Sequence, residues 1–175
     1  MTLTSRLATD ADLARLGPLV EAAIDELQRG FLDEEQIRAS HLIMGVDRQL
    51  VEDGTYYVVE ADGRLAGCGG WSRRATLYGG DHSAGRSSRL LDPRTEPARI
   101  RAMYTRPAFV RRGVGRLILR LCEEAAVAEG FTRLSLMATL AGRPLYEAAG
   151  FAVVEEVVDT PGGVPIPLVR MAKEI

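Results

Sequence analysis

The chain has 175 residues, enough for one domain with a sizeable core, and its 22 Lys and Arg against 24 Asp and Glu leave a net charge of −2. That balance gives no global basic field, so nucleic acid is not expected as a partner. No apolar run reaches the ~20 residues of a membrane span, and Met1–Arg6 lacks the apolar stretch of a signal peptide, so the expected location is the cytoplasm, away from any membrane.

Leu3–Ala8 is the first strand candidate, and Thr9 or Asp10 is placed to cap a helix. Leu13, Leu16, Leu19, Val20, Ala23, Ile24 and Leu27 recur at helical spacing, which predicts an amphipathic helix over 11–29, kinked or split at Gly17-Pro18. A second helix is predicted over 33–44, with acidic residues in its first turn, and a short helical turn within 46–53. Tyr56–Ala61 and Arg64–Arg74 form a hairpin around Asp62-Gly63, with Gly67, Gly69 and Gly70 marking a bulge or a close backbone approach. A long irregular stretch, residues 75–97, follows.

Arg99–Thr105 is the next strand. Gly113–Glu129 is a helix with a predicted buried stripe of Val114, Leu117, Ile118, Leu121, Cys122 and Ala125, ended by Gly130. Phe131–Met137 is a strand and Ala141–Ala149 a short helix; Phe151–Asp159 and Pro167–Lys173 close the series across the turn Thr160–Gly163. Strands in meander followed by strand–helix–strand–helix–strand predict an α/β fold with a mixed sheet. Cys68 and Cys122 are far apart in apolar segments and read as reduced core residues, neither disulfide nor metal pair; Trp71 reads as core.

The chemistry concentrates at residues 107–116, between a strand and a helix. A helix N-terminus offers unpaired N–H groups and partial positive charge, and Gly113 and Gly115 clear side chains from an approaching anion. Arg111, Arg112 and Arg116 sit where a helix disfavours cations by ~0.3–1 kcal/mol each, which an anion such as a diphosphate would offset. Gly115 is followed by Arg116-Leu117, not the Lys-Ser/Thr of a nucleoside-triphosphate loop, and Ile118 stands where a dinucleotide fingerprint has its third glycine.

With Gly113 and Gly115 following a strand, and Leu145-Tyr146-Glu147-Ala148-Ala149-Gly150-Phe151 on the next short helix, the chain resembles the GCN5-related N-acetyltransferase (GNAT) family from Leu3 to Lys173. The two motifs match Q/R-x-x-G-x-G/A and L-Y-x-x-x-G-F. The resemblance implies a mixed, mostly antiparallel sheet of six or seven strands flanked by helices and splayed at its centre. It implies acetyl-CoA as acyl donor, with no metal. The pantetheine arm would meet the main chain of Met103, Tyr104 and Thr105, and the pyrophosphate the N–H groups from Arg111 through Arg112, Gly113, Val114 and Gly115 to Arg116. Tyr146 would be the general acid for the leaving thiolate. The acceptor would be a primary amine of a small molecule or peptide, bound between the first helices and the 75–97 insertion, which would act as lid or wall. A homodimer is expected on the same ground.

Three departures from the family pattern stand out. Val110 replaces the first Gln or Arg of the motif, Thr139 stands where asparagine is frequent, and Arg99-Ile100-Arg101 carries no glutamate base. Asp81, His82, Asp92 and Glu96 are then the titratable groups on the insertion that a base could be drawn from. A coenzyme A-binding module without catalysis is the alternative reading, and a nucleotide-binding protein a third.

Overall fold

The computed structural model describes residues Met1 to Ile175. Seven strands, β1 (Leu3–Leu7), β2 (Tyr56–Ala61), β3 (Arg64–Ser72), β4 (Ala98–Thr105), β5 (Arg133–Thr139), β6 (Ala152–Asp159) and β7 (Ile166–Glu174), form one sheet in the order β1-β2-β3-β4-β5-β7-β6. Every pairing is antiparallel except β4 with β5. This is the mixed, mostly antiparallel α/β sheet expected from the sequence.

The two-residue period of the strands sorts side chains to two cores. Tyr56, Val58, Leu65, Cys68 and Tyr104 join a cluster with helix α1 (Leu13–Leu27). Val59, Ala61, Ala66, Ile100, Leu134 and Leu136 join the cluster of α4 (Val114–Ala128) and α5 (Arg143–Ala148) on the opposite face. Helix α1 buries Leu16, Leu19, Val20, Ala23 and Ile24, an i, i+3, i+4, i+7, i+8 stripe. It runs unbroken through Pro18, where a kink or split was expected. Its start is tied to β1 through Asp12, whose carboxylate accepts from both Arg6 guanidinium nitrogens (2.8 Å each) and from the Thr9 N–H (2.8 Å).

Helix α2 (Glu34–Ser40) opens on a reciprocal cap: Asp33 accepts from the Gln36 N–H, and the Gln36 side chain accepts from the Asp33 N–H. It stops short of Met44 because the chain tightens; the N–H groups of Leu42 and Ile43 donate to carbonyls three residues back. Helix α3 (Arg48–Glu52) follows, capped by Asp47.

Helix α4 buries Val114, Ile118, Leu119, Cys122 and Ala126, so the stripe is rotated from the predicted one and Leu117, Leu121 and Ala125 are half-buried. The cause is how closely α4 sits on β3. A Cβ on Gly67 would lie 2.5 Å from Val114 Cγ1, and one on Gly69 would lie 2.3 Å from Met103 Sδ and 2.9 Å from Ile118 Cγ2. The glycines thus mark close approach. The bulge itself is on β4, where the register slips between Cys68 and Gly70 and Ala102 takes φ +50°.

Residues 75–97 are irregular but pinned. Thr76 and Ala75 donate to the carbonyls of Ser87 and Arg89, Leu91 donates to Arg73, and the tip reaches the α2–α3 connection through Asp81 N–H to Val46 O and Ser83 Oγ to Leu42 O. Cys68 and Cys122 are free and buried, and Trp71 is buried edge-on to Phe131.

Candidate active site

Strands β4 and β5 pair only at Ala98–Leu134 and Arg99–Ser135; beyond that they part, while β5 stays paired with β7 through Thr139–Leu168. The Arg106 N–H is bonded to Ala66 O of β3. Alternation along a strand therefore turns the peptide groups of Tyr104 toward β3 and those of Met103 and Thr105 toward the opening. The Tyr104 side chain is buried, its hydroxyl accepting from the Gly45 N–H at 2.9 Å.

A cavity of about 110 Å³ occupies the opening, mostly apolar and floored by Ile100, Met103 and Met137. Ile43 and Met44 enter from the end of α2, and Leu77, Tyr78 and Gly79 from the insertion. The insertion is thus a wall of this cleft. Tyr78 is held there by donating to Asp159 Oδ2 at 2.5 Å, and burial beside that carboxylate pushes its phenol up to about 12.

At the mouth, the turn before α4 is built for an anion. Arg111 takes φ +62° and Gly113 takes φ +86°. Left-handed residues interleaved with ordinary ones fold successive N–H groups into a concavity that favours negative charge. The first helical bond is Leu117 N–H to Gly113 O, and the N–H groups of 111–116 donate to no protein acceptor. Nothing lies within 4 Å of where a Cβ on Gly113 would stand. Arg111 and Arg112 are exposed in the turn and Arg116 is exposed in the first turn of α4, with no carboxylate paired to any of them. Six free donors and three unpaired cations fit a diphosphate.

Gly115 joins this turn to α5. A Cβ there would fall 2.7 Å from Leu145 Cδ2, so the next residue, Tyr146, is fixed against the start of α4. Tyr146 is buried edge-to-face on Phe151, lines the cleft, and its hydroxyl forms no hydrogen bond to the protein. Burial pushes the phenol well above its ordinary value, so it stays protonated and able to donate. Thr139 Oγ1 accepts from the Gly142 N–H at 3.0 Å and keeps its own proton for the cleft.

None of the four titratable groups singled out on the insertion reaches the cleft. Asp81 meets Arg48, His82 meets the carbonyl of His41, Asp92 meets Arg94, and Glu96 meets Arg89, whose guanidinium holds its carboxyl down at about 2. Where a base might stand on β4, Arg101 instead donates to buried Asp47 (2.7 Å) and to Gly79 O (2.6 Å). Sequence reasoning missed this ion pair and the wall residues Tyr78 and Ile43; an arginine within an otherwise apolar strand was the available signal. No group of three or more His, Cys, Asp or Glu side chains is placed to hold a metal.

The acetyltransferase (GNAT) family model matches residues 19–151. Comparison with curated protein sequences gives no match. Among solved structures the chain is similar to a GCN5-related N-acetyltransferase of Rhodopseudomonas palustris, with TM-score 0.74 and 19% identity over 100% of this chain and 97% of that one. It is similar to the PaiA N-acetyltransferase of Thermoplasma acidophilum in complex with coenzyme A (TM-score 0.69, 16% identity, 100% of both chains). It is also similar to YncA of Salmonella typhimurium with its cofactor acetyl-CoA (TM-score 0.65, 17% identity, 99% and 94%). At these identities the likeness is one of fold.

Proposed function

The chain belongs to the acetyltransferase (GNAT) family, and from that premise we propose that it is an N-acetyltransferase that moves an acetyl group from acetyl-CoA directly to a primary amine of a small molecule or peptide. The observation that carries the reading is the run of six unpaired N–H groups at 111–116, set beside a cleft that leads to Tyr146. Residues 1–175 act as one catalytic domain on this reading. The coenzyme A and acetyl-CoA complexes among the similar structures support the choice of donor.

The pyrophosphate takes the N–H groups of 111–116, with Arg111, Arg112 and Arg116 neutralising its charge. The pantetheine amides extend the sheet against Met103 and Thr105, and Thr139 donates a hydroxyl to the same arm. The amine nitrogen attacks the thioester carbonyl, the C–N bond forms and the C–S bond breaks. Tyr146 gives a proton to the departing sulfur, a transfer of the kind that contributes roughly 10²–10⁴-fold. The nitrogen loses its proton to water, since the cleft lining holds neither carboxylate nor imidazole. Holding both reactants in one slot supplies much of the remaining acceleration.

The missing base is also the feature that favours the second reading, a coenzyme A-binding module without turnover. Thiol release from acetyl-CoA across a panel of amines separates the two. Turnover on at least one amine is expected; saturable coenzyme A binding with no release on any amine would favour the module. The reading includes a cytoplasmic location and a homodimer, for which edge strand β6 offers exposed Val153, Val154 and Val158. No helix is long and apolar enough to cross a membrane.

A further inference from the structure

A second cavity, about 240 Å³, lies between the insertion, the start of α3 and the ends of β3 and β4. Leu50 is its one apolar lining residue, and Arg101 lines both this cavity and the cleft. Three guanidinium groups face it against two carboxylates. Arg86 and Arg101 share Asp47, at 2.9 and 2.7 Å, and Arg74 takes Asp53 at 2.8 Å. Asp47 is fully buried and the Asp53 side chain is 8% exposed, so both acids are already spent inside the protein. One unit of positive charge is left over.

Burying Asp47 requires one cation, and Arg101 on β4 supplies it. Arg86, brought in by the insertion, is the surplus. Its charge and burial both press Arg101 toward its neutral form, the response of a cation short of counter-charge. The Ser72, Ser87 and Ser88 hydroxyls line the same space with protons free to donate. Hydroxyl donors around an excess guanidinium suit a small oxyanion.

We propose that this cavity is a second ligand site, taking a carboxylate or phosphate group next to the transfer cleft. The anion is either a free ion or a substituent of the acceptor amine; the second source rests on the transfer reading above, the first does not.

The test titrates inorganic phosphate at constant ionic strength into the wild-type protein and Arg86→Gln, both with saturating coenzyme A so that the 111–116 turn is occupied. Arg86→Gln leaves Asp47 paired with Arg101, and Arg86→Lys restores the charge. One saturable phosphate per chain is expected in the wild type, weakened at least tenfold in Arg86→Gln and partly recovered in Arg86→Lys. Repeating the titration without coenzyme A separates a cavity site, still sensitive to Arg86, from the turn. In parallel, KM is compared for amines with and without a carboxylate or phosphate. A preference for the anionic amine that disappears in Arg86→Gln assigns the anion to the acceptor; phosphate binding without such a preference assigns it to a free ion. No saturable phosphate binding together with no anionic preference, or binding and preference both indifferent to Arg86, overturns the proposal.

Discussion

Tyr146 carries the sharpest test at the scale of single residues. Its hydroxyl has no protein partner and its phenol is held protonated by burial, so removing the oxygen should cost chemistry and spare folding. Tyr146→Phe is expected to lower kcat by roughly 10²–10⁴-fold while the coenzyme A dissociation constant stays within a few-fold. An unchanged kcat would take Tyr146 out of the mechanism. Because the protonated phenol is the working form and its pKa is raised, loss of activity below about pH 10 must come from another group. Gly115 explains why Tyr146 and the 111–116 turn belong to one device: a side chain there would meet Leu145 and push α5 away.

Elements were legible in the sequence wherever period and capping agreed. The α1 stripe, the α2 cap at Asp33 and Gln36, and the hairpin at Asp62-Gly63 all form as the pattern dictates. The α4 stripe was misplaced because the sequence does not say which face three glycines of β3 will admit. The Asp47–Arg86–Arg101 cluster was illegible because its members are 15 to 54 positions apart and meet only once the insertion folds over α3. One element junction, β1 to α1, has a pH signature. The Arg6 guanidinium holds the Asp12 carboxyl well below the usual carboxylate range, with the Thr9 N–H adding to the effect. A depressed folded pKa gives stability that is full above the unfolded value near 3.9 and lost as pH falls below it. Asp12→Asn should therefore cost about 1–2 kcal/mol at pH 7 and progressively less toward pH 3, read from urea midpoints; an equal cost at both would deny the ion pair its role.

Over the whole molecule, both thiols are sealed in the two cores. Burial pushes Cys68 up to about 12 and Cys122 higher still. The folded protein should expose no thiol to a disulfide reagent at pH 8 and two after denaturation, so a thiol-release assay would see coenzyme A alone. A fast-reacting thiol in the native protein would contradict the packing. The sheet itself carries a further consequence. Its two halves are joined by two residue pairs, Ala98–Leu134 and Arg99–Ser135, and then separate like an unfastened seam. A donor whose amides meet Met103 and Thr105 would supply the missing stitches from outside. The acetyl carrier would then be a temporary structural member, and every product release would reopen the seam and return the enzyme to its looser form.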